Sequence, residues 1–251
     1  MKKIEIDVFF TPEMIKGIKK NDIFIVLDVL RATSLINTLF ANDCYRIFIL
    51  NDIEKAKKIK RQNGGLLAGE RNGIPIPGFD IGNSPSEVRK IKVKHQNIIL
   101  TTTNGTIAIK KVSNAKMVYI GSFLNALECS IQAFKSAVNN QCNIKILCAG
   151  IQNRFSLEDS LCAGLFVRNF KEITQNAKVL VKFTDAAIST MLLYKNSPSI
   201  YEMFCISSSG KHLIRLGYKK DLILCSQINK YKNLPFLKKN NKNYVLELYK
   251  Y

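Results

Sequence analysis

The sequence predicts an α/β fold: a layered α/β/α arrangement around a mostly parallel or mixed sheet, built from two similar halves. Three observations predict it. Short apolar runs with strand character alternate with helical segments, which implies a parallel sheet covered on both faces. The order strand, polar loop, helix, strand, helix occurs twice, starting near Phe24 and near Asn97, and a third round begins at Ile144. The chain has 251 residues, 47% hydrophobic and 23% charged, which is enough apolar material for a full core and too much for a disordered chain.

The elements follow in order. Residues 24–27 read as a buried strand, 28–34 as a polar loop and 35–41 as a helix. Residues 45–50 form a second strand, and 52–62 a helix for which Asp52 is a suitable N-cap. The stretch 69–87, rich in Gly and Pro, is a long irregular excursion of the kind that carries function. The second round runs through a strand at 97–100, a polar loop at 101–106, a helix from Ile107, a strand at 116–120 and a helix at 125–138. The third has a strand at 144–147, a longer loop to Ser156 and a helix at 157–170. The tail, 230–251, ends in an alternating, strand-like segment at 244–249. The expected division is a first half at 1–95, including the 69–87 loop, and a second half at 96–251 with a C-terminal extension, packed as one unit.

Charge and cysteine content narrow the function classes. Lys and Arg total 38 against 19 Asp and Glu, a net charge of +19, and 30 of the 38 are lysine. The lysines are scattered, as at Lys55, Lys57, Lys58 and Lys60, which reads as solvated faces and not as a dedicated nucleic-acid surface. A positive surface still raises the encounter rate of small anionic substrates. Seven cysteines with no C-x-x-C spacing make neither a disulfide framework nor a zinc ribbon, so a reducing cytoplasm is the expected setting. Glu5 and Asp7 interrupt any signal-peptide pattern, and no apolar run approaches the ~18 residues of a membrane span. No membrane partner is expected, and a homo-oligomer is compatible with the composition.

The polar loops at the strand ends carry the chemistry. In residues 28–34 (DVLRATS), Asp28 is placed to bind a metal, while Arg31, Thr33, Ser34 and the helix start suit an anion. An ion pair with a helix cap accounts for the same residues. Residues 101–106 (TTTNGT) occupy the matching place and form a neutral anion cradle from Thr102, Thr103, Asn104, Gly105 and Thr106, or a turn with a capping threonine. Glu70, Arg71, Asp80 and Asn83 stand in the irregular loop, where they face a ligand or hold the loop itself. Glu158 and Asp159 open the third helix as dipole partners or as metal ligands. Cys148 and Arg154 have the spacing of a Cys-x5-Arg phosphate loop, but Phe155 replaces the hydroxyl residue that follows the arginine, which favours a small buried cysteine. A haloacid-dehalogenase pattern fails at Leu30, and no Walker sequence is present. His95 and His212 lack catalytic spacing partners.

Taken in order, DVLRATS (28–34), GER (69–71), GFDIGNSP (78–85), TTTNGT (101–106), and FSLED (155–159) with Cys162-Ala-Gly164 resemble the 2-phosphosulfolactate phosphatase family. A weaker likeness continues through Ser208 to Cys225, where Leu216-Gly217 and Asp221 fit the pattern. The resemblance implies a Mg²⁺-dependent phosphatase that converts (2R)-O-phospho-3-sulfolactate to 3-sulfolactate, a step of coenzyme M synthesis. Under it, Asp28, Arg31, Glu158 and Asp159 are the expected catalytic residues. Asp28, Glu158 and Asp159 lead the candidate metal ligands, with Glu70 and Asp80 behind them. Arg31, Thr33, Ser34 and residues 102–106 would hold phosphate oxygens. Arg71 or Arg154 would take the substrate's carboxylate or sulfonate, with Asn83 a further substrate contact. Phosphatase action on another small phosphorylated hydroxy acid, with or without Cys148 as nucleophile, and non-enzymatic nucleic-acid binding are the alternatives.

Overall fold

The computed structural model describes residues 3–249 except Arg89, Asn176, Lys178, Asn241 and Lys242. Eleven strands among the described residues share one sheet. They are β1 (Lys3–Phe9), β2 (Asp22–Leu27), β3 (Arg46–Leu50), β4 (Leu66–Arg71), β5 (Ile74–Pro75) and β6 (Asn97–Thr101), followed by β7 (Met117–Gly121), β8 (Asn143–Cys148), β9 (Leu180–Phe183), β10 (Pro235–Asn240) and β11 (Asn243–Leu248). The order across the sheet is β5-β4-β6-β3-β11-β10-β7-β2-β8-β1-β9.

This order makes the sequence repeat visible in space. Strand β2 lies between β7 and β8, all parallel, and β6 lies between β3 and β4, all parallel. Helix α1 (Ala32–Ala41) carries the chain from β2 to β3, and α4 (Gly105–Lys111) carries it from β6 to β7, so each crosses from one strand group to the other. Strands from before and after residue 96 therefore interleave in one sheet. The β10–β11 hairpin fills the centre, antiparallel to β7 on one side and to β3 on the other. Three antiparallel pairings separate the groups, so the two parallel groups run in opposite directions. Five pairing steps lie between β6 and β2, and at about 20–25° of twist each these strands cross at roughly 100–125°. That steep crossing lets the carboxyl ends of opposed strands meet at one corner.

The core explains why the sheet bends. Alternate residues of β2 point to opposite faces. Ile23, Ile25 and Leu27 join Ile144, Ile146, Phe166 and Phe170 beneath α5 (Ala126–Asn140) and α6 (Leu157–Thr174). Phe24 and Val26 face a second cluster that also holds Ile47 and Ile49 of β3 and Ile98 and Leu100 of β6. Leu35, Ile36 and Leu39 of α1 and Ala108 and Ile109 of α4 lie inside that cluster, so the sheet wraps around these two short helices. A third cluster packs Phe48, Leu50 and Ile99 under α2 (Ile53–Asn63), where Asp52 caps the helix by accepting from the Lys55 N–H at 2.8 Å. Lys55, Lys57 and Lys58 on the opposite face of α2 are exposed.

The 69–87 excursion is partly ordered, containing β5 and a short helix, α3 (Pro85–Val88). Four helices follow β9: α7 (Asp185–Lys195), α8 (Ile200–Ile206), α9 (Ser208–Arg215) and α10 (Lys219–Cys225). Among the described residues no helix is long and apolar enough to cross a membrane.

Candidate active site

The end of β2 turns into α1 through bonds made by its own residues. The Thr33 N–H donates to the Asp28 carbonyl at 2.9 Å, and the Asp28 N–H donates to Thr33 Oγ1 at 3.1 Å. The Ala32 N–H donates to Asp28 Oδ1 at 3.2 Å, leaving Oδ2 free to face the neighbouring loop. Ser34 Oγ donates to the Val29 carbonyl at 2.8 Å. Thr33 and Ser34 are fully buried, so their hydroxyls hold the turn and do not reach a ligand.

The end of β6 is ordered by Glu70. Its Oε1 accepts from the Thr103 N–H at 2.7 Å, and its Oε2 accepts from Thr103 Oγ1 at 3.1 Å and from the Gly73 N–H at 2.7 Å. Thr102 and Thr106 bond to one another across the first turn of α4: the Thr106 N–H donates to Thr102 Oγ1 and Thr106 Oγ1 to the Thr102 carbonyl. Gly105 sits against Asp28 so closely that a β-carbon there would lie 2.7 Å from Oδ2.

The third strand end supplies two more acids. Ser156 caps α6 by accepting from the Asp159 N–H. Asp159 accepts from the Val29 N–H at 2.8 Å and the Gly150 N–H at 3.2 Å, tying β8's loop to β2's. Glu158 is 2% exposed, and its buried Oε2 has no partner among the described residues. Burial lifts the Asp28 carboxyl to about 7, with Glu70 and Glu158 adding to the rise and the Ala32 N–H and Arg31 opposing it. Burial also pushes Asp159 well above the usual carboxylate range, reinforced by Asp28 and Glu158. Asp28 is reached from the cavity yet embedded in protein, which is how a partly accessible group is still strongly desolvated.

Arg31 is 3% exposed. Its Nη1 pairs with Asp221 of α10 at 2.9 Å, its Nη2 donates to the Gly73 carbonyl at 2.8 Å, and its guanidinium lies 4.3 Å from the Tyr218 ring centroid. Asp221 also accepts from Ser84 Oγ at 2.7 Å and the Ser86 N–H at 3.0 Å. Asp28, Arg31, Glu70, Asn83, Thr103 and Asn104 line one cavity of about 390 Å³, together with residues from the start of α9. A larger cavity of about 810 Å³ lies between α6, α7 and α8, but it contains none of these strand-end residues.

A family model described as 2-phosphosulpholactate phosphatase matches residues 9–240. The chain belongs to the 2-phosphosulfolactate phosphatase family. This is a family of phosphoric monoester hydrolases. A probable 2-phosphosulfolactate phosphatase of Caldicellulosiruptor saccharolyticus is 36% identical over 85% of this chain and 88% of its own length. One from Thermotoga petrophila is 38% identical over 85% of this chain and 88% of its own. One from Clostridium acetobutylicum is 34% identical over 92% of this chain and 97% of its own.

Within this family member, not every residue expected at the site reaches it. Arg71 turns back onto the strand ends, donating to the carbonyls of Glu70 and Asn51 and to Thr101 Oγ1. Asp80 binds Lys60 and the Leu67 N–H; burial raises its pKa, but these partners outweigh that effect and hold the carboxyl below its ordinary value. Arg154 is exposed, outside the cavity lining. Cys148 is fully buried under α6, and burial and Asp159 push its thiol well above its ordinary range, so it is not a ready thiolate. Conversely, Gly73 comes to the site from the irregular loop without having been singled out there, and Ser208, Ser209, His212 and Asp221 come from a segment where the sequence offers only a weak family likeness. Ser207 at the start of α9 is a readable N-cap signal, but nothing local says that this helix start joins Asp28 at one cavity.

Proposed function

We propose that this chain hydrolyses (2R)-O-phospho-3-sulfolactate to 3-sulfolactate and phosphate in the cytoplasm, with Mg²⁺, as the coenzyme M type of step. The observation that carries the reading is the convergence of Asp28, Glu158 and Asp159 in a member of this family: Asp28 lines a small cavity, and Glu158 adds to the rise of both Asp28 and Asp159.

The donor set suits a hard cation. Mg²⁺ is held by one or two carboxylates with waters completing six oxygens. Among the described residues no three His, Cys, Asp or Glu side chains form a ligand group, so the chain itself would supply one or two of those oxygens. The unpartnered, buried Glu158 Oε2 and the free side of Asp28 are the oxygens that would hold the ion. When bound, Mg²⁺ neutralises charge at the phosphoryl oxygens.

The remaining work falls to the chain. Water adds at phosphorus while the bond from phosphorus to the C2 oxygen breaks, and in net that oxygen leaves with the proton the water gives up. A carboxylate at the cavity takes the proton of the attacking water, and Asp28, which lines the cavity, is placed to do so. Glu70 fixes the Thr103 loop, so the Thr103 and Asn104 groups are set before the substrate arrives. Arg31, anchored by Asp221, supplies positive charge at the cavity wall.

Phosphate release from synthetic phosphosulfolactate, measured before and after chelation, tests the reading. Release should vanish with EDTA and return with Mg²⁺. Full activity after exhaustive chelation overturns the metal, and no release under any metal overturns the substrate.

A further inference from the structure

The cavity of about 810 Å³ between α6, α7 and α8 shares no lining residue with the candidate active site. It stands at the other end of α6. Glu158 and Asp159 open that helix, and Lys171, which lines the cavity, lies about 20 Å further along its axis. Helices α6 and α7 touch at Gly164, where a β-carbon would overlap the Thr190 carbonyl oxygen and stand 2.7 Å from the Tyr194 β-carbon. Beyond that contact both helices carry large side chains, with the Arg168 guanidinium 5.7 Å from the Tyr194 ring centroid, and the cavity occupies the space that follows.

The floor of this cavity is apolar. Helix α7 carries apolar residues around its circumference, a pattern expected of a helix covered on every side. Ala187, Leu193 and Tyr194 pack on the core, whereas Ile188 and Leu192 are 40% and 48% exposed. Leu192 lines the cavity with Met191, Pro198, Ile200 and Ile228, and Ile228 is itself 44% exposed.

The charged groups of the cavity do not cancel. Arg168 Nε donates to Glu172 Oε1 at 3.0 Å, so these two neutralise one another. The ammonium groups of Lys171 and Lys195 have no partner among the described residues. Each lysine lies in the last turn of its helix, where the helix end supplies only about half a negative charge, so positive charge remains in surplus. The two serines of the lining are committed to local backbone: Ser197 Oγ donates to the Leu193 carbonyl at 2.7 Å, and Ser199 caps α8 by accepting from the Glu202 N–H at 3.0 Å. A neutral ligand would leave the ammonium groups unpaired, a cation would be repelled, and a small polar anion would leave the floor uncovered. An anion with a long apolar body meets both demands, and the volume falls in the range of small-molecule sites, about 300–1,000 Å³.

We infer that this cavity is a second binding site, for a long-chain carboxylate whose chain covers Leu192, Ile200 and Ile228 and whose head group pairs with Lys171 and Lys195. The site stands whether or not the chain hydrolyses phosphosulfolactate.

Titration calorimetry with sodium dodecanoate, kept below its micelle-forming concentration, tests it without any need for turnover. The parent should bind dodecanoate saturably and at least ~10-fold more tightly than octanoate, since each buried CH₂ contributes about 4-fold in affinity. Dodecyltrimethylammonium should not bind. Two variants, Leu192→Asp and the pair Lys171→Met with Lys195→Met, should each weaken dodecanoate at least ~10-fold, the scale of a lost bond to a charged group. The pair Lys55→Met with Lys58→Met, on the exposed face of α2, removes the same charge far from the cavity and should leave binding unchanged. Equal weakening by that control pair means diffuse attraction to a basic surface and overturns the inference, as does the absence of saturable binding by the parent. Displacement of dodecanoate by saturating phosphate or 3-sulfolactate places it in the other cavity and overturns the inference as well. Sedimentation velocity runs alongside: self-association of the parent that Leu192→Asp abolishes, with no dodecanoate bound, makes this face an interface between copies and also overturns it. If Leu192→Asp fails to fold, the Lys171 and Lys195 pair decides, because both side chains are exposed.

Discussion

Gly105 and Asp28 meet where the two opposed strand groups of the sheet converge, with the α4 backbone packed directly on the Asp28 carboxylate. A β-carbon at 105 would stand 2.7 Å from Asp28 Oδ2 and 2.6 Å from the Ala32 β-carbon. Neither neighbour can withdraw, because Ala32 opens α1 and Asp28 is tied to α1 by its own hydrogen bonds. Gly105→Ala should therefore push the two loops apart. Turnover is expected to fall ~10²-fold or more, with ~1–3 kcal/mol of stability lost. Steady-state kinetics with a denaturation curve checks both.

Asp28→Asn keeps the shape and removes a charge that burial disfavours. Turnover should fall at least ~10²-fold, the scale of a positioned catalytic group. Stability should move the other way. The Asp28 carboxyl rises from 3.8 to about 7 on folding, so between those values the native state holds a proton that the unfolded chain has released. Stability of the chelated parent then falls as pH rises through that window and levels above it. The variant lacks this share of the slope, and Asp159 keeps only the part of its rise that burial and Glu158 supply. At pH 8 the chelated variant should be the more stable by about 1 kcal/mol or more, and at pH 3.5 the two should agree. Urea titrations across pH 3.5–8.5 decide this.

Cys148→Ser should leave most of the phosphatase activity in place. The thiol is fully buried and its pKa is raised by burial and by Asp159, so the parent enzyme carries almost no thiolate at neutral pH. Iodoacetamide should not inactivate the folded enzyme. A dead but folded serine variant, or a phosphocysteine trapped on the parent, would reverse this assignment.

Asp221→Ala leaves Arg31 as a buried cation without its carboxylate and strips partners from Ser84 and the Ser86 N–H. A loss of ~3–5 kcal/mol is expected, as for a buried pair broken on one side. Asp221→Asn, which keeps some of the hydrogen bonds, should lose less. The difference between the two variants in thermal unfolding measures the charge component.

Much of the site was legible before the fold. The strand, polar loop and helix order placed Asp28, Thr103, Asn104, Glu158 and Asp159 at strand ends, because apolar runs of four to six residues followed by hydroxyl and acidic residues are local signals. Glu70 was visible as an acid in a chain poor in acids, but its task of holding Thr103 was not, since that bond spans 33 residues. Thr33 and Ser34 looked like ligand donors and proved to be bonded to their own turn, a competition between backbone and ligand that composition does not resolve.

The sequence by itself determined the class of the fold, the repeated unit, the family and the acids at the strand ends, because periodicity, turn residues and short motifs are encoded within a few neighbouring positions. Tertiary structure alone decided that the two strand groups run in opposite directions, separated by a C-terminal hairpin, and that the turn after β6 packs on the turn after β2, Gly105 against Asp28. It alone joined Arg31 to Asp221 across 190 residues and brought Asn83 and the start of α9 to one cavity, while Arg71 and Asp80 turned to local partners. Such pairings depend on strand order, sheet twist and burial, which no stretch of sequence carries, and the chemistry at this cavity is set by them.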